Sequence, residues 1–111
     1  MQGAISSPAL AGLRKAASQC SAMLKAMSHE DRLLLLCQLT EGEFNVGELE
    51  ERVGLRQPSL SQHLGVLRAE GLIAARRNGK YMYYSLASEE VVSIMETLAM
   101  LYCGRPKRQP R

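Results

Sequence analysis

Apolar residues near the start of the chain recur at alternating steps of three and four: Leu10, Leu13, Ala17, Cys20, Leu24 and Met27. On a helix these positions form one stripe, the pattern of a helix that packs lengthwise against another. Ser28 stands three residues before Asp31, a spacing that resembles a capping box and predicts a second helix running to about Thr40. Its expected inner face is Leu33, Leu36, Cys37 and Thr40, with Gly42 ending it. A short helix follows over residues 46–53, with Leu49 and Val53 inward and Gly54 breaking it. A fourth helix opens around Pro58, where a proline's missing N–H costs nothing in a first turn. Leu60, Leu64 and Leu67 make its inner face, and Gly71 closes it.

The period then changes from helical to strand-like. Residues 72–77 and 80–86 are two β-prone runs around Asn78-Gly79, the strongest short-range hairpin signal. Ser88 is placed to cap a last helix with Glu89 and Glu90 in its first turn, where acids complement the helix dipole. Val91, Ile94, Met95, Leu98, Leu101 and Tyr102 continue at helical spacing to Gly104. The expected fold is mainly α with a two-stranded β-hairpin wing: a winged helix-turn-helix of order α-α-α-α-β-β-α. We expect one domain over residues 9–103, with tails at 1–8 and 104–111. The first and last helices exceed the minimal unit, and their apolar stripes predict a homodimer.

Composition narrows the class. With 46% hydrophobic and 23% charged residues, the 111-residue chain is an ordinary globular protein rather than a disordered or fibrous one. Its unbroken apolar runs, such as residues 33–37 and the six residues 98–103, are far short of the ~20 residues needed to span a bilayer. No basic-then-apolar leader opens it, so a cytoplasmic location is expected and no membrane partner. Three cysteines, Cys20, Cys37 and Cys103, do not make a disulfide framework, in keeping with a reducing compartment. The net charge of +3 is unevenly spread. Residues 1–51 hold four bases against seven acids, whereas residues 52–87 hold six bases against Glu70 alone. A nucleic-acid face in the second half, or merely a solvated one, explains that contrast.

The helix after Gly54 is the candidate reading helix. Its outward positions are taken to be Gln57, Ser59, Ser61, Gln62, His63 and Arg68, side chains long and polar enough to reach base edges or phosphates. The same residues also suit a plain polar helix surface. Arg76, Arg77 and Lys80 around the hairpin turn favour the DNA reading, because a projecting cationic tip fits phosphates or the minor groove. Tyr81, Tyr83 and Tyr84 are read as packing residues on the ribbon.

Residues 46–73, VGELEERVGLRQPSLSQHLGVLRAEGLI, resemble the DNA-binding core of the ArsR/SmtB repressor family. So do residues 25–34, KAMSHEDRLL, and residues 76–84, RRNGKYMYY; the likeness covers roughly residues 20–103. The resemblance implies a homodimeric repressor on double-stranded operator DNA that leaves when an inducer acts. Members sense metals, metalloids or thiol oxidants. The family's arsenic site is a Cys-Val-Cys-Asp-Leu run; here Asn45, Val46, Gly47, Glu48 and Leu49 stand in its place, without a thiol. The zinc site uses Asp and His along the last helix; here that helix offers Glu89, Glu90 and Glu96 and no histidine. His29 and His63 do not complete a zinc set in sequence, so no metal site is expected.

Cys37 within LLLLCQL and Cys103 within MLYCG resemble the cysteine pair of the family's sulfide- and persulfide-responsive subgroup, the BigR, SqrR and HlyU type. There a disulfide or polysulfide bridge releases the DNA. The resemblance thus implies Cys37 and Cys103 as redox-sensing residues and reactive sulfur species or a thiol oxidant as inducer. Taken alone, Cys37 reads as a small buried hydrophobe, and Cys20 as a core or interface residue. The rival within regulation is a soft metal or metalloid held by cysteine thiolates. A winged helix used for protein contacts is a further reading. No base is placed beside a nucleophile and no phosphate loop is present, so neither catalytic residues nor a cofactor is expected.

Overall fold

The structure is a computed structural model and describes residues 8–104. The elements are α1 (Pro8–Met27), α2 (Glu30–Leu39), β1 (Phe44–Asn45), α3 (Val46–Val53), α4 (Ser59–Ala69), β2 (Ile73–Asn78), β3 (Tyr81–Leu86) and α5 (Glu89–Tyr102). The tails expected at 1–8 and 104–111 lie outside the described residues except for Pro8 and Gly104. Pro8 belongs to α1, at a first-turn position that tolerates a missing N–H.

The helix-turn-helix begins with a reciprocal cap. Asn45 Oδ1 accepts from the Glu48 N–H, and Glu48 Oε1 accepts from the Asn45 N–H, both at 2.9 Å. Gly54 ends α3 in the left-handed region at φ 75°, its N–H reaching Glu50 O at 2.9 Å. Space around that glycine is open, so the φ value alone restricts the position. Leu60, Leu64 and Leu67 then turn inward from α4 as their spacing predicts.

One core joins all the elements. Leu35, Leu36, Leu49, Leu60 and Leu67 are fully buried, with Leu39, Leu64, Leu72, Ile73, Val91 and Met95 around them. Fully burying such a side chain contributes roughly 1.5–3 kcal/mol, so this cluster of leucines dominates stability.

Four expectations change. The cap of α2 is His29, not Ser28: its Nδ1 accepts from the Asp31 N–H at 3.1 Å. The buried stripe of α2 is Leu35, Leu36 and Leu39, while Leu33 and Cys37 are half-buried and Thr40 is exposed. Four consecutive leucines fit more than one helical phase, and tertiary packing selects it. The sheet has three strands in the order β1-β3-β2, because Phe44 and Asn45 pair antiparallel with Tyr84 and Tyr83. Finally, Asn78 pairs with Tyr81, so Gly79 and Lys80 form the turn, with Gly79 at φ 67° supplying the positive angle.

Two faces stay uncovered in the single chain. On α1, Leu13 is 64% and Leu24 52% exposed. On α5, Val91 and Met95 are buried, whereas Leu101 is 68% and Tyr102 82% exposed.

Candidate nucleic-acid interface and thiol pocket

At the start of α4 the exposed polar groups are held rather than loose. Gln57 Oε1 accepts from the Ser61 N–H at 3.2 Å and from Ser61 Oγ at 2.5 Å, satisfying an orphan donor of the first turn. The Gln57 amide nitrogen makes no hydrogen bond among the described residues. Ser59, Gln62 and Arg68 are exposed along the same helix.

Cations on this side differ in how far they are committed. Arg76 donates to Glu43 through Nε at 2.8 Å and Nη2 at 2.7 Å, a two-point pair, and lies 5.6 Å from the Tyr83 ring centre. This pair holds the Glu43 carboxyl below its usual range and raises the guanidinium further. Arg52 is likewise held, by Gln38 Oε1 at 2.6 Å and Glu41 Oε1 at 2.5 Å, above the Phe44 ring at 4.2 Å. Acids of the first half therefore neutralise two of the six bases counted in residues 52–87. Arg56, Arg68, Arg77 and Lys80 are exposed and make no ion pair among the described residues. Arg76 is thus placed as a brace between the wing and the segment before β1. Arg56, in the turn before α4, is a cation the sequence reading did not single out, although a base in a helix-turn-helix turn is itself a signal.

His63 is turned inward, against its expected outward placement. Its side chain is 14% exposed, because it sits one turn from buried Leu60 and beside buried Leu64. Its ring lies 4.5 Å from that of His29, its Nε2 is 3.9 Å from Asp31 Oδ2, and its Nδ1 is 3.4 Å from Arg32 Nη1. Arg32 also donates through Nε to Ala26 O at 2.5 Å. Burial, then His29 and Arg32, push the His63 pKa down, against a smaller opposing pull from Asp31. Sequence distance hid this group, whose potential ligand atoms lie within 4.8 Å of one another. Its chemistry is that of a hydrogen-bonded corner: the Nδ1 atoms of both rings face N–H donors, and a guanidinium already stands beside them.

The two cysteines singled out by the sequence share one cavity. Leu33, Cys37, Met95, Leu98, Ala99, Tyr102 and Cys103 line one apolar cavity of about 230 Å³ between α2 and α5. Cys37 is half-buried and Cys103 exposed. Burial raises the Cys37 pKa above its ordinary value, and the neighbouring Cys103 and Glu41 add to the rise. Cys20 lies elsewhere, exposed on the uncovered face of α1.

Capped helices around Gly54, an exposed polar reading helix and a cationic ribbon define a winged helix-turn-helix regulator that binds DNA. The profile described as bacterial regulatory protein, arsR family, matches residues 29–75. The biofilm growth-associated repressor of Xylella fastidiosa (strain 9a5c) is 43% identical over 96 residues, covering 86% of this chain and 84% of that one. The solved structure of reduced HlyU from Vibrio cholerae N16961 superposes with a TM-score of 0.78 at 42% identity, covering 83% and 97% of the two chains. A homodimeric winged helix-turn-helix DNA-binding domain from Mycobacterium bovis, 29% identical, gives 0.74 over 88% and 93%. The chain belongs to the ArsR family of transcriptional regulators, within its BigR and HlyU group, and is not an enzyme. Among the described residues no helix is long and apolar enough to cross a membrane.

Proposed function

We propose that this protein is a cytoplasmic homodimeric repressor whose operator is released when a sulfur bridge forms between Cys37 and Cys103 of one protomer. The observation that carries this reading is the shared apolar cavity of the two thiols between α2 and α5. Support for the dimer comes from the uncovered apolar faces of α1 and α5 and from the homodimeric relative. In this reading Gln57, Ser59, Ser61 and Gln62 face bases, while Arg56, Arg68, Arg77 and Lys80 meet phosphates or the minor groove. His63 and Arg76, both expected to touch DNA, act instead on the placement of α4 and the wing.

The chemistry assigns the thiols unequal roles. Cys103 is accessible and takes the first step: its thiolate attacks the outer sulfur of a persulfide RSSH, gives a Cys103 persulfide and releases RSH. Cys37, whose raised pKa keeps it a thiol at rest, then attacks the inner sulfur as it loses its proton, and hydrogen sulfide leaves. Two thiols and one RSSH thus give one disulfide, RSH and hydrogen sulfide, with the persulfide as oxidant. A second RSSH gives a trisulfide and another RSH. Either bridge ties α2, which packs on α3 and α4, to α5 at the uncovered edge. In a two-fold dimer that tie changes the relative placement of two recognition helices, whose half-sites lie about 34–36 Å apart.

The test is intact mass after persulfide, disulfide and peroxide donors, paired with operator binding by each product. Cys37→Ser and Cys103→Ser are expected to bind the operator and to stay bound with inducer present, while Cys20→Ser responds like the parent. Normal induction in either of the first two variants rejects the dithiol mechanism. Release by arsenite or cadmium without any bridge would establish the metalloid reading instead.

A further inference from the structure

The inward His63 lies on the same helix as the exposed Ser61 and Gln62, two residues and one residue away. We propose that His63 is a positioning residue for operator binding: its neutral ring seats the start of the recognition helix on the corner between α1 and α2, and it touches no base. This inference rests on the operator-binding reading and adds to it a path from the dimer edge to the DNA face. The path is short and every step is a contact. The last turn of α1, with Ala26 and Met27 buried, fixes one carbonyl, Ala26 O. Arg32 of α2 grips that carbonyl and reaches His63 Nδ1; the ring of His29, the cap of α2, lies against that of His63 at 4.5 Å between centres, tilted by 55°. A displacement of α1 in the dimer is therefore felt at the start of α4.

Proton occupancy gives the seat a sign. The groups facing His63 are His29 at the cap of α2, Asp31 and Arg32 on α2, and the Ala26 carbonyl of α1 behind Arg32. A protonated ring would stand against the guanidinium and could no longer accept its hydrogen bond; against this, Asp31 Oδ2 lies 3.9 Å from Nε2. Burial, His29 and Arg32 already depress the His63 pKa against the smaller pull of Asp31, which favours the neutral ring. Acid must therefore weaken the seat and, through it, operator affinity. A histidine that touched phosphate would give the opposite sign, because protonation adds a cation beside a polyanion.

The experiment measures operator affinity of the reduced full chain from about pH 8 to about pH 5.5, a range that brackets the ordinary histidine value. We expect affinity to fall about tenfold towards acid, the size of one lost hydrogen bond to a charged group. His63→Phe fills the space without hydrogen bonds or a proton. It should bind more weakly, by a similar factor on every single-base variant of the operator, with its pH dependence removed. His29→Asn keeps a capping side chain and should retain the pH dependence. Ring NMR of the unmodified dimer needs no variant and should show His63 titrating below an ordinary histidine. Tighter binding in acid that depends on His63, loss of discrimination at one base pair, or an unshifted ring titration would each overturn the proposal. If the unmodified dimer binds no duplex at any pH, the operator reading fails instead, while the ring titration still judges the corner.

Discussion

The reading unit and the outer helices solve the same problem in opposite ways. Between α3 and β3 most large apolar side chains have a home: Leu49, Leu60, Leu64, Leu67, Leu72 and Ile73 are buried, with Val66 and Tyr81 the exposed exceptions. Polar groups there are held by neighbours, as in the Asn45–Glu48 cap and the Gln57–Ser61 pair. On α1 and the end of α5, Leu13, Leu24, Leu101 and Tyr102 face outward with nothing over them. One region is complete within a single chain; the other is half of something. An apolar face of this kind has few uses except against another protein surface, and closed two-fold pairing is the commonest solution.

The largest expected effect breaks the incomplete region. Leu24→Asp puts a charge in the middle of the proposed interface, where an unpaired buried charge costs several kcal/mol. The chain should become monomeric by light scattering at micromolar concentration, keep its helical circular dichroism, and lose operator affinity at least a hundredfold. A dimeric Leu24→Asp variant would place the interface elsewhere.

A smaller effect tests the complete region. Arg77→Ala removes an exposed wing cation with no ion-pair partner among the described residues. Affinity should fall alike for all sequences, and the slope of log affinity against log salt should drop by about one per protomer. An unchanged slope would remove the wing from the interface.

The smallest effect concerns the brace. Glu43→Gln releases Arg76 without changing its position in the chain. Nonspecific duplex binding should strengthen by a few-fold at low salt, through one more cation available to phosphate. Acid should act in the same direction. The Glu43 pKa is lowered in the folded protein, so the pair is intact above the ordinary carboxylate range and lost as pH falls through the lowered value. A slope that stays fixed in Glu43→Gln would show that Arg76 does not face the DNA even when free.

How much of this is legible in the sequence follows the range of the forces involved. Local signals are clear: the bounds of α3, the stop at Gly54, the inward Leu60, Leu64 and Leu67, and the Ser88 cap of α5 all depend on residues within a few positions. Long-range pairings are silent. Two residues, Phe44 and Asn45, carry no period at all; they become a strand because Tyr83 and Tyr84 offer an open edge. Pattern alone puts His63 on the wrong face, because nothing in its own helix reveals His29 and Arg32 waiting about thirty residues upstream. Arg76 reads as a free wing cation in sequence, since Glu43 meets it only in the fold. The cysteine pair is visible through family likeness alone, since 66 residues of separation hide a shared cavity from any pattern argument.

The strand order β1-β3-β2 has a consequence for solubility. An unpaired strand edge invites another chain to add to it, the first step of many aggregates. β3 is flanked by β2 along its length and by β1 only at Tyr83 and Tyr84, so the longer fully open edge of the ribbon is that of β2. That edge strand carries Arg76 and Arg77. Arg76 is neutralised by Glu43, but two ribbons brought edge to edge would still set Arg77 against its own copy, so the wing also guards the chain against piling onto its own copies.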